Sequence, residues 1–208
     1  MLYRKFARKY HSMKKLLAFI ILLIAAFSIY WFVFRSKGGD SGPKQQPLTL
    51  KKHSLDFNTS VVAAMNAYFD MQKGLADADS TKAKDACKKF IGLLDSIKLE
   101  ELKKDTASIF ETAQANLTDA KLNAESLLKQ TDITEMRQDF RMVSEILYPS
   151  FFMAINYEGP NLYWQNCPMA FGPDKEASWI SNSLEVVNPY LGKAHKDCGE
   201  IKDTIKTK

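Results

Sequence analysis

The chain has 208 residues, 46% of them apolar and 25% charged, a balance that builds a packed core and excludes a wholly disordered protein. Its formal charge of +5 is unevenly placed: residues 1–50 hold nine Lys/Arg against Asp40 alone, leaving twenty basic and twenty-three acidic residues beyond position 50. That second part is slightly acidic and has only Arg137 and Arg141 as guanidinium groups, so it lacks the basic face that phosphates require, and nucleic acid is not an expected partner.

Arg4, Lys5, Arg8, Lys9, Lys14 and Lys15 precede an uncharged run from Leu16 to Phe34. As a helix this run would be about 28 Å long, close to the hydrocarbon core of a bilayer at about 30 Å. Six cations before it, against Arg35 and Lys37 just after it, place the amino terminus in the cytoplasm and the remainder outside. The expected order is a basic cytoplasmic leader (1–15), a signal-anchor transmembrane helix (16–34), a flexible linker (35–54) and an extracytoplasmic domain (55–208). In a bacterium this is a single-pass protein of the inner membrane with a periplasmic domain. Ala26-Phe27-Ser28 leaves open a cleaved signal peptide, although the apolar run exceeds a usual signal core of about 7–15 residues. Gly, Ser, Pro, Lys and Gln dominate 36–54, a composition that buries too little apolar surface to fold by itself.

From Phe57 onward apolar residues recur at helical spacing. A first helix is expected from about Thr59 to Leu75, capped by Asn58 or Thr59, ended by Gly74 and its neighbours, with Val61, Met65, Tyr68 and Leu75 on one face. A second, about Thr81 to Ile97, aligns Ala83, Ala86, Cys87, Phe90, Leu94 and Ile97. A third, about Leu102 to Gln130, aligns Phe110, Ala113, Leu117, Ala120, Ala124 and Leu127. The fourth starts at Asp132, a capping residue, aligns Ile133, Met136, Phe140, Val143 and Leu147, and kinks or stops near Pro149. Short connections favour antiparallel neighbours, so the expected fold is all-α: an up-down four-helix bundle with an irregular carboxy-terminal lasso, preceded by one transmembrane helix.

The lasso follows Glu158-Gly159-Pro160, where Pro, Gly and aromatic residues become dense and two of the three cysteines fall. Trp164, Trp179 and Tyr190 are expected to anchor it on the bundle. Its candidate metal ligands are Cys167, Met169, His195 and Cys198, soft or borderline donors that suit Cu(I) or another thiophilic ion. A Cys167–Cys198 disulfide in an oxidising compartment is the competing reading, and free thiols a third. Cys87, on the apolar stripe of the second helix, is expected to be an inert buried thiol. An enzyme is not expected: His11, His53 and His195 are the only imidazoles, and no haem-attachment, phosphate-loop or Cys-x-x-Cys redox motif occurs.

Several residues carry a family likeness. Tyr68, the run Asp79-Ser80-Thr81-Lys82-Ala83-Lys84, Arg137 with Phe140 and Ser144, Tyr163, Cys167-Pro168-Met169-Ala170, Trp179, Asn188-Pro189-Tyr190-x-Gly192 and Cys198-Gly199 stand in an order that resembles the domain-of-unknown-function family numbered three-three-four-seven, over about residues 55–203. The resemblance adds Tyr163, Asn188 and Pro189 to the lasso anchors. It implies a small exported helical domain, in some members attached to periplasmic adaptor subunits of heavy-metal efflux pumps, and hence handling of copper or a similar cation beside an envelope or efflux-system protein. The family pattern has Met three residues before the last cysteine, where this chain has His195.

Overall fold

The computed structural model of the protein describes residues 53–105 and 107–205. The leader, the expected span and all but the last two residues of the expected linker lie outside these, and no described helix is long and apolar enough to cross a membrane.

Four long helices come first: α1 (Leu55–Ala76), α2 (Ser80–Leu94), α3 (Ala107–Lys129) and α4 (Ile133–Glu145). Each packs on the next, and α1 also meets α4. The sequence stripes are the core: Val61, Met65, Tyr68, Leu75, Cys87, Phe90, Ala113, Ala120, Ala124, Met136, Phe140 and Val143 are all buried. Side-chain caps set the starts. Ser54 Oγ accepts from Phe57 N, Asp79 caps α2 through Lys82 N, and Asp132 accepts from Thr134 N and Glu135 N. The α1 cap therefore lies four or five residues before the expected Asn58 or Thr59.

Gly74 does not end α1. It is buried inside the helix, and a Cβ there would sit 2.6 Å from Ala83 N, so its missing side chain lets α2 cross close by. The turn comes afterwards, at Ala78 with φ of 55°. The expected third helix is also divided. Leu99–Lys104 forms a 3₁₀ turn with Leu102 in the core, and α3 begins only at Ala107. Beyond α4 the chain kinks at Tyr148, across the cis Tyr148–Pro149 bond, and resumes as the short α5 (Phe152–Ile155), which ends at left-handed Asn156.

His53 and Ser54, assigned by composition to the linker, belong to the folded unit. His53 is 8% exposed, stacks on Phe57, and places Nδ1 3.3 Å from Glu101 Oε1 and Nε2 against Ile155 O. Its backbone N donates to Glu158 Oε2 at 3.0 Å, and Ser54 N donates to Glu101 Oε1 at 2.8 Å. The point where the chain enters the domain is thus tied to two segments far along the sequence.

The carboxy-terminal part is not wholly irregular, which corrects the all-α expectation. Strands β1 (Leu162–Cys167), β2 (Ala177–Ser181) and β3 (Glu200–Ile205) make a three-stranded antiparallel sheet in the order β2-β1-β3. A bulge between Trp164 and Gln165 interrupts the β1/β3 register. Irregular backbone remains in the loops at 168–176 and 182–199, and only these match the lasso as expected.

Candidate functional site

The two lasso cysteines meet. Cys167 ends the central strand, opposite Ala177, and is fully buried; Cys198 is half-buried just before β3; their Sγ atoms are 3.1 Å apart as free thiols. The sheet makes this contact, because β3 pairs with β1 through Asn166↔Glu200 and so brings the residue two before Glu200 alongside the end of β1.

Asn188 holds the other side of the loop. It is fully buried, donates from Nδ2 to Cys198 O at 2.7 Å, and accepts at Oδ1 from Tyr190 N (2.7 Å) and Leu191 N (3.2 Å). Its side chain satisfies three backbone groups that the irregular loop would otherwise leave unpaired, which is why an amide is needed there. Gly199 completes the arrangement. Its φ is +147°, and a Cβ would stand 2.8 Å from Asn166 O and 3.0 Å from the Trp179 ring. Gly199→Ala is therefore expected to destabilise the fold by about 1–3 kcal/mol, measured by urea denaturation, and to widen the spacing of the two sulfurs.

The lasso anchors divide by burial. Trp179 and Tyr190 are buried and pack edge to face, 5.8 Å between centroids, while Tyr190 also meets Phe140 on α4 and Phe171. The Tyr190 hydroxyl donates to Ser178 O at 2.6 Å. Tyr163 and Trp164 are half-buried, with Trp164 against Tyr148 at 5.1 Å. Pro189 O accepts from Arg137 Nε at 2.9 Å, and Arg137 Nη2 donates to Leu75 O at 3.0 Å, so one guanidinium clamps the lasso to α1 and α4.

Two further residues carry the docking. Ile180 N donates to the buried Tyr68 hydroxyl at 3.1 Å, and Tyr68 in turn contacts Ser144 Oγ at 2.7 Å. Ser144 donates to Phe140 O, so the proton between the two hydroxyls belongs to Tyr68, and burial pushes its phenol well above the usual range. At the edge, the Lys196 ammonium lies 2.7 Å from Asp77 Oδ1 and, with Lys73, holds that carboxyl down at about 2. A depressed carboxyl stabilises above its unfolded value of about 4, and this contact is lost as pH falls toward 2. Arg137 had two signals in the sequence, as one of two guanidinium groups in the domain and as a member of the family likeness. The Asn188–Cys198 contact had none.

The other two candidate ligands stand apart. Met169 is 55% exposed and His195 is exposed on the 3₁₀ turn Gly192–His195, while no group of three His, Cys, Asp or Glu among the described residues could hold a metal ion. Two thiolates on one ion, with metal–sulfur bonds of about 2.3 Å, stand about 3.7–4.6 Å apart between tetrahedral and linear geometry, so this pair would have to open. Copper thus fits the donor chemistry of the cysteines but not their present spacing. The Cys167 sulfur beside it, helped by burial and Asp197, pushes the Cys198 thiol up to about 11, which slows its attack on an incoming disulfide. Cys87 is inert as expected, donating to Ala124 O, with burial and Asp139 pushing its thiol up to about 12.

An open groove of about 890 Å³ lies away from the cysteines, lined among others by Leu99, Phe110, Leu117 and Leu122. Lys121 and Asp95 pair across 2.7 Å in its lining, which includes no imidazole or thiol.

No curated protein and no solved structure matches the chain. A family model does, over the segment that runs from the middle of α1 to the end of α5. Residues 64–155 match the family described as Protein of unknown function (DUF3347), the same family that the order of Tyr68, Arg137, Cys167 and Cys198 resembles.

Proposed function

We propose that this chain is a membrane-anchored, extracytoplasmic, non-catalytic domain in which a Cys167–Cys198 disulfide closes the carboxy-terminal lasso on itself, presenting a rigid surface to a partner in the cell envelope. The observation that carries the reading is the 3.1 Å separation of two thiols that belong to no group of three His, Cys, Asp or Glu able to hold a metal ion among the described residues. Sulfur is then the natural bonding partner of sulfur, and an exported domain meets the oxidising conditions in which such bonds persist. The basic leader before a 19-residue uncharged run supports the anchor and the orientation.

A second reading keeps the soft-ion function. Two sulfurs side by side supply part of a Cu(I) site, and Met169 and His195 are exposed soft or borderline donors in the same lasso. Titrating Cu(I) against a competing chelator separates the two. The staple account expects the chain isolated under oxidising conditions to take up no Cu(I), and Cys167→Ser and Cys198→Ser to change nothing. Tight uptake that either substitution abolishes would replace the staple with an ion site.

A further inference from the structure

The two sulfurs differ in access. Cys167 is 0% exposed at the end of the central strand, opposite Ala177 on the neighbouring strand and beside Cys198. Cys198 is half-buried and follows exposed His195 and Asp197, while Pro168 and Met169, the residues after Cys167, are exposed as well. A molecule arriving from solvent therefore meets the Cys198 side of the pair first, and reaches Cys167 only through its partner.

We propose that Cys198 is the thiol at which oxidation of the pair begins, as the acceptor of a mixed disulfide from a disulfide-bearing donor. This inference rests on the disulfide reading of the preceding section. In the first exchange Cys198 loses its proton to solvent and its thiolate attacks one sulfur of the donor; a Cys198–donor S–S bond forms, the donor S–S bond breaks, and one donor thiolate leaves with a proton. In the second, Cys167, already 3.1 Å from Cys198 Sγ, loses its proton and attacks that atom; the internal S–S bond forms, the mixed bond breaks, and the second donor thiolate leaves and is protonated. Two protein thiols are oxidised by two electrons, and one donor disulfide is reduced to two thiols. The reverse sequence is obstructed, because a donor bonded to Cys167 would need room inside a fully buried site. Asn188 supports the order of events by fixing the Cys198 carbonyl, so that Cys198 keeps its place beside Cys167 while it carries the donor.

The test uses the full chain in detergent micelles, reduced, then mixed with glutathione disulfide as the probe donor and quenched in acid at successive times, with every cysteine-containing peptide mapped by mass. In the wild type the transient glutathione adduct is expected on Cys198 and not on Cys167. Cys167→Ser and Cys167→Ala are expected to accumulate the Cys198 adduct, while Cys198→Ser and Cys198→Ala take an adduct on Cys167 at least about tenfold more slowly. The wild-type time course decides the matter even if a substitution impairs folding. Equal rates at the two positions, or a first adduct on Cys167, would overturn the assignment while leaving the disulfide reading intact. A wild-type adduct that stays on Cys198 and never closes onto Cys167 would support the entry role and remove the staple.

Discussion

Phe140→Ala is expected to destabilise the domain by about 3–5 kcal/mol, the largest effect of any single truncation considered for this fold. Phe140 is fully buried on α4, with its ring stacked on Tyr68 of α1 at 5.0 Å and 24°, and on its other side Tyr190 of the lasso at 6.1 Å. One ring thus touches both the bundle interior and the lasso, and its removal leaves a cavity between them. The loss combines transfer of the aromatic surface with the cavity term, and the aromatic contacts on both faces add to it. Urea denaturation followed by far-ultraviolet circular dichroism measures the cost, and tryptophan fluorescence reports whether Trp179 loosens with it. A loss below about 1 kcal/mol would mean that the lasso docks independently of α4.

Oxidising the Cys167–Cys198 pair is expected to stabilise the domain by about 3 kcal/mol. The two residues lie 31 apart in sequence, and closing that loop removes conformations from the unfolded chain in proportion to the logarithm of its length. The folded state gives little back, because the sulfurs already lie within about an ångström of bonding distance and Asn188, Gly199 and the β1/β3 ladder hold them there without the bond. For a domain of this size the gain corresponds to roughly 6–12 °C in melting temperature. Thermal melts with and without a phosphine reductant measure it, and Cys167→Ala should melt as the reduced wild type does in either condition. Equal melting of oxidised and reduced chains would show that a cost in the folded state cancels what the bond removes from the unfolded chain.

The helical part was legible because its signal is local. A stripe such as Ala83, Cys87, Phe90, Leu94 repeats every three to four residues, and Asp79 and Asp132 mark their helix starts by side-chain chemistry that needs no distant partner. Gly74 misled for the opposite reason: its role is a close approach to Ala83 in the next helix, a tertiary fact that reads locally as a helix stop. The 3₁₀ turn at Leu99–Lys104 was hidden because Leu-Glu-Glu-Leu-Lys-Lys has ordinary helix propensity, and its interruption is set by Leu102 seating in the core.

The strands were missed because they are five or six residues long and bury polar side chains. Gln165 and Asn166 are both buried on β1, which erases the alternation that marks a strand with one wet face. Gln165 donates to Ser183 O and Glu185 O, and Asn166 to Ser178 Oγ, so their burial depends on loops that only the folded chain supplies. The candidate site was half legible. The sequence offers Cys167 and Cys198 as a disulfide pair, as ligands of one ion or as free thiols, and the structure brings the two together. Donor softness grouped Met169 and His195 with them, but chemical type carries no distance, and those two side chains are exposed. His53 shows the same limit from the other end: composition placed it in the linker, and contacts more than a hundred residues away bury it.

The most direct measurement is a count of alkylatable thiols in the chain isolated from its own cells with an alkylating quench and denatured without reductant. The account predicts one, at Cys87, with Cys167 and Cys198 recovered as a single linked peptide pair. Three alkylated cysteines would contradict it.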